Sequence, residues 1–129
     1  MQLCDLKSHP TASEGAWFDV EVQTLRPMGK PNGHACIRIA AIGTSAYRSA
    51  RHAAILAGHR DHDIVALVNG CVRDWAGLTE DGAPVPFSHD RLLDIVRAAD
   101  GFQTLQFITQ CANHLANLSR DQLEQALGN

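Results

Sequence analysis

The period of the hydrophobic pattern changes at Gly43, and that change restricts the chain to a mixed architecture. Ahead of it, "AWFDVEVQTL" (16–25) sets Phe18, Val20 and Val22 against Asp19, Glu21 and Gln23. This is the two-residue period of a half-buried strand. A second strand is predicted in "HACIRIAAI" (34–42), after "PMGKPNG", whose Asn32-Gly33 pair suits a turn with positive φ. Beyond Gly43 the apolar residues fall three and four apart, as on helices. A two-stranded hairpin is too small to be stable alone. The expected fold class is therefore α+β, an N-terminal β-hairpin packed on a bundle of about five short helices.

Thr44 is positioned to cap the first helix, whose face of Ala46, Tyr47, Ala50, Ala53, Ala54 and Ala57 permits close packing, and Gly58 ends it. The second carries Ile64, Leu67, Val68, Cys71, Val72 and Trp75 at helical spacing. Ser88 caps a third bearing Leu92, Leu93, Ile95 and Val96, with Phe87 and Leu92 spaced as a hydrophobic staple and Gly101 at its end. "FQTLQFITQCANHLANL" (102–118) is a fourth with a wide apolar face. Ser119 and Gln122 match a capping box for a short fifth helix reaching Leu127.

Between the second and third helices runs "VRDWAGLTEDGAPVPFS" (72–88). Asp81-Gly82 supplies a turn, and Pro84-Val85-Pro86 imposes an extended segment because proline fixes φ and disfavours helix before itself. Gly77 and Gly82 relieve backbone strain while Trp75 and Phe87 anchor the ends. The stretch reads as a stiff structural connector made of Trp75, Gly77, Gly82, Pro84, Pro86, Phe87 and Ser88. Both aromatic residues are expected to be substantially buried.

At 129 residues and 45% hydrophobic, one domain of this size buries roughly two thirds of its unfolded surface. The expected organisation is a polar, mobile arm at 1–15 followed by a single globular domain at 16–129. Four Phe, two Trp and one Tyr are too few to fill the core, which must be mainly Leu, Ile, Val and Ala. A net charge of −3 provides no field favouring nucleic acid or an anionic membrane. No apolar run approaches the ~18 residues of a membrane span, and the N-terminus lacks a signal-peptide layout. A cytoplasmic protein is expected, with no cofactor. Cys4, Cys36, Cys71 and Cys111 lie far apart and are expected to be free thiols, mostly buried.

Chemistry-bearing patterns are sparse. Asp74, Glu80 and Asp81 have no partner base or nucleophile and fit a solvated turn. His59 with His62, and Cys111 with His114, are three apart and could share a helix side, yet a structural zinc site needs four ligands. Cys71 or Cys111 paired with a histidine has no supporting motif. Arg48, Arg51, His52, His59, Arg60 and His62 form a basic segment, but Asp61 and Asp63 interrupt it and no aromatic residue interleaves for stacking.

The stretch from Val72 to Val96, "VRDWAGLTEDGAPVPFSHDRLLDIV", resembles the signature of the tail assembly chaperones of long-tailed phages and prophages. In that family a helix ends in Trp-x-Gly, an acidic Asp-Gly turn follows, and a Pro-x-Pro-Phe/Tyr-Ser segment opens the next helix. The upstream order is similar, with a Gly15-x-Trp17 strand, a second strand containing Arg38, and a helix containing Tyr47-Arg48. Asn113 or Asn117 stands where the family often has an Asn near the end of its last long helix. His89 departs from an expected acidic or proline residue, and "SRDQLEQALGN" (119–129) extends past the usual end.

The resemblance implies a non-enzymatic chaperone in the bacterial host cytoplasm. It would bind the tape-measure protein, keep it soluble and help the tail-tube protein polymerise around it. Weak self-association and an exposed groove for apolar helical segments are expected, with Tyr47, Leu56, Phe102 and Phe107 as contributors; all four also fit a core, Phe102 and Phe107 above all. The rival readings are a structural head-tail or minor tail component and a small DNA-binding regulator.

Overall fold

A computed structural model describes residues 13–128. Twelve residues of the expected arm, with Cys4 among them, lie outside the described residues. The elements run β1 (Ala16–Asp19), β2 (Cys36–Ile39), α1 (Ser45–Leu56), α2 (His62–Cys71), β3 (Val72–Ala76), β4 (Thr79–Glu80), β5 (Ala83–Pro84), α3 (His89–Arg97), a 3₁₀ turn (Ala99–Gly101), α4 (Phe102–Asn117) and α5 (Arg120–Ala126). The fold is α+β, with the β1–β2 hairpin and, among the described residues, the five helices α1 to α5.

The sheet has three strands, one more than the hairpin expected. β1 pairs antiparallel with β2, Phe18 opposite Ile37, and β2 pairs antiparallel with β3, Ile37 opposite Trp75. The second helix thus stops at Cys71 instead of running on to Trp75. Val72 and Trp75 fit a helical stripe, but they are also β-branched and aromatic, and the open edge of β2 offers them a ladder and a buried face. Tertiary context decides between the two periods.

The strand of 16–25 is also shorter than its alternation implies. Asp19 turns its carboxylate back onto the backbone, Oδ1 accepting from the N–H of Glu21 (2.8 Å) and Val22 (2.9 Å). Gln23 then takes φ +57° and donates its N–H to the Asp19 carbonyl. The chain leaves the sheet at this turn, so Val22 is exposed and Asp19, predicted to face solvent, is buried.

Phe18, Ile37 and Ile39 of the sheet meet Val68 and Cys71 of α2, Leu92 and Val96 of α3, Ile108 and Leu115 of α4, and Leu123 of α5 in one core. Each such side chain contributes about 1.5–3 kcal/mol on burial. Three helix starts are capped as the sequence indicates: Thr44 accepts from Tyr47 N–H, Ser88 from Arg91 N–H, and Ser119 and Gln122 form the reciprocal box. Gly101 does not end α3, which stops at Arg97. It enters α4, where a Cβ would overlap the Ile95 carbonyl.

The connector from α2 to α3 contains more regular structure than a linker. β4 and β5 form a small hairpin turned by Asp81 (φ +52°) and Gly82 (φ +81°). Two consecutive positive φ values are those of a type I′ turn.

Candidate functional site

Two concave regions and one pinned connector carry the side chains of interest. The first region is an apolar groove of about 340 Å³ between the starts of α1 and α2 and the middle of α4. Ile42, Tyr47, Ile64, Leu67 and Leu105 line it. Thr109, also in its wall, spends its hydroxyl on the Leu105 carbonyl at 2.8 Å. Asp63, the charged lining residue, is tied to Arg51 Nε at 3.0 Å. Burial foremost raises the Tyr47 hydroxyl above its ordinary value, which keeps it neutral.

The groove depends on how closely α1 approaches α2. Gly70 lies against Tyr47 and Ala50, and a Cβ there would sit 2.7 Å from the Tyr47 Cα. On α4, Phe102, Leu105 and Thr109 follow the spacing of one helical stripe, so the exposed Phe102 ring continues the stripe that lines the groove.

Of the four residues expected to contact a partner, Tyr47 lines the groove, while Leu56 (74% exposed) and Phe102 (64%) are open to solvent. Phe107, 3% exposed, is a correction. Its side chain belongs to the core cluster with Ile108 and Cys111 and offers no contact surface.

In the connector, Trp75 is 7% exposed and donates Nε1–H to the Val85 carbonyl at 2.7 Å. Phe87 is only half-buried; its ring meets Trp75 edge-on with centroids 5.1 Å apart. His89 completes the row, its ring 4.8 Å from Phe87 and its Nε2–H donating to the Val72 carbonyl at 2.9 Å. Because that carbonyl can only accept, the bond places a proton on Nε2. Arg91 pairs with Glu80, joining α3 to the β4–β5 hairpin. Gly77 (φ +75°) passes the His34 carbonyl where a Cβ would lie 2.7 Å from the oxygen. The exposed Pro84 and half-buried Val85 keep the chain extended into Pro86 and the Ser88 cap.

No family model, no curated protein and no solved structure matches the chain. Function must therefore be sought in the residues themselves.

The second concave region is a cleft between the β1–β2 connection and the end of α5, beside a polar cluster that the hydrophobic pattern does not reveal. Asp19 Oδ2 accepts from Asn32 Nδ2 at 2.9 Å and contacts His34 Nδ1 at 2.7 Å. Asn32 Oδ1 accepts in turn from His34 N–H and Cys36 Sγ. The Asn32 amide, then the Val22 N–H, hold the Asp19 carboxyl well below the usual carboxylate range. The hydrogen bond to Asp19 raises His34 above its ordinary value. The clue in the sequence was an Asn-Gly-His turn thirteen residues after a strand aspartate, a separation that periodicity does not connect.

Cysteine chemistry finds no purchase in the core. Burial pushes the thiols of Cys71 and Cys111 up to about 12, leaving little thiolate at neutral pH. Among the described residues, no group of three or more His, Cys, Asp or Glu could hold a metal. No helix there is long and apolar enough to cross a membrane. The basic segment near α1 is partly neutralised, Arg51 by Asp63, while Asp61 is clamped by Arg97 at 2.8 Å.

Proposed function

We propose that the chain is a non-enzymatic tail assembly chaperone that takes apolar helical segments of a tape-measure protein into the groove between α1, α2 and α4. The observation that carries this reading is the groove itself, an apolar channel whose one charged lining residue among the described residues is already paired and whose α4 stripe extends to the exposed Phe102. A helix presenting residues at i, i+3 and i+7 fits such a channel. The resemblance of residues 72–96 to tail assembly chaperones supports the identity of the client.

Such a client must be released as the tail-tube protein closes over it. Each protomer then binds weakly, and many protomers along one client, associating weakly with each other in the bacterial host cytoplasm, supply the avidity. The test is co-expression of the tape-measure protein with and without this chain. Expected are a larger soluble fraction and co-purification, both reduced by Leu105→Gln and Phe102→Ser. A tape-measure protein equally soluble alone, with no complex at high concentration, refutes the reading and favours a structural tail component.

A further inference from the structure

The cleft beside Asp19, about 790 Å³ in volume, has no part in the chaperone reading. Its walls come from the β1–β2 connection and the end of α5. They are seated closely, since a Cβ on Gly29 would lie 2.5 Å from the Leu127 carbonyl oxygen. Val22, Met28 and Leu127 give the cleft an apolar surface.

Two cations, Arg26 and Lys30, also line it, and among the described residues neither has an ion-pair partner. The carboxylate in the lining does not serve them. Both oxygens of Asp19 are engaged, by the Glu21 and Val22 N–H groups on one side and by Asn32 and His34 on the other. Three arginines elsewhere do meet carboxylates, Arg51 with Asp63, Arg91 with Glu80 and Arg97 with Asp61. Two cations against the single, already hydrogen-bonded carboxylate of Asp19 leave an excess of positive charge over an apolar floor, complementary to a ligand that is both anionic and greasy.

We propose that this cleft binds an acidic, apolar peptide segment of a partner protein, Arg26 and Lys30 holding its carboxylates while Val22, Met28 and Leu127 take its aliphatic side chains. Nucleic acid satisfies the cations but not the floor, because among the described residues no aromatic ring lines the cleft for bases to stack on. The volume falls in the range of small-ligand sites, which suits a short segment. Exposed ion pairs are individually weak and screened by salt, so binding requires both cations and the apolar floor together.

Fluorescence anisotropy of a labelled short peptide alternating Leu with Asp and Glu, titrated with the full chain, tests the proposal. Saturable binding is expected, weakened about tenfold or more by the Arg26→Gln/Lys30→Gln pair and comparably by high salt, and unchanged by Arg60→Gln on the far basic segment. Replacing the acidic residues of the peptide with Lys, or its Leu with Ser, should abolish binding. No saturation at millimolar protein, equal binding of the Lys or Ser peptide, or tighter binding of oligothymidylate overturns the proposal. The peptide arms use the unaltered chain and so remain decisive even where the double variant misfolds. Because no tape-measure client is involved, failure here is separate from failure of the chaperone reading.

Discussion

The two long connectors of this chain, residues 20–35 between β1 and β2 and residues 77–88 between β3 and α3, solve one problem by opposite means. Each must hold a run without long regular structure against the domain. The first is organised by a buried carboxylate, Asp19, which gathers the side chains of Asn32 and His34 and two backbone amides. The second is organised by rings, Trp75 against Phe87 against His89, with one indole hydrogen bond. A connector held by rings draws its stability from buried area. One held by a carboxylate draws it from charge and is therefore open to pH.

The largest effect expected from breaking this contrast is in the ring-held connector. Trp75→Ala should cost about 3–5 kcal/mol, read as a lowered urea midpoint, whereas Trp75→Phe keeps most of the ring and loses mainly the bond to Val85, about 1 kcal/mol. An unchanged midpoint for Trp75→Ala would mean that the rings do not hold the connector.

The carboxylate-held connector should respond to pH instead. Asp19 lies below its ordinary 3.8, so its stabilisation is complete above that value and is lost as pH falls through the lowered one. His34 lies above its ordinary 6.5, so its contribution is complete below 6.5 and is lost as pH rises through the raised value. The loop is tightest between about pH 4 and 6.5. NMR titration of the His34 ring should give a midpoint above 6.5 that returns toward 6.5 in Asp19→Asn, and the Glu21 and Val22 amides should exchange faster in that variant.

In backbone geometry, by contrast, the connectors are alike. Gly33 (φ +94°) and Gly82 (φ +81°) both have open space around a Cβ, so Gly33→Ala and Gly82→Ala should each cost about 1–2 kcal/mol, from the left-handed conformation alone. Thermal melts showing clearly unequal losses would expose a contact that the open surroundings do not reveal.

The contrast also explains what the sequence disclosed. The Asp81-Gly82 turn, the Ser88 cap and the helix starts at Thr44 and Ser119 are decided within a few residues, and they are legible in the order of the letters. β3 was not, because Val72–Ala76 becomes a strand only where the edge of β2 is available to it. Asp19 was hidden for a related reason. Alternation marked it as an outward strand residue, while its true partners lie up to fifteen positions away. On α4, Phe102 and Phe107 are five residues apart, about 140° around the helix, so they cannot both face the core. Composition could not say which one would, and docking against α2 and α3 placed Phe107 inside. The groove is legible only in part, since Tyr47 and Leu105 are visible as apolar letters but their convergence depends on Gly70 bringing α1 against α2.

The three-stranded sheet has a consequence for how the molecule can meet others. Trp17 exchanges both its backbone hydrogen bonds with Met28, which closes the outer margin of β1. On β3 the Trp75 N–H is taken by Asp74 Oδ1 at 2.8 Å and the Val72 carbonyl by His89. Both margins are thereby stoppered by the chain's own loops and side chains, as native proteins blunt exposed edges. An incoming strand finds few free amides to zip onto, so copies crowded together at high local density are guarded against fusing through their sheets, and recognition is left to the clefts and helices.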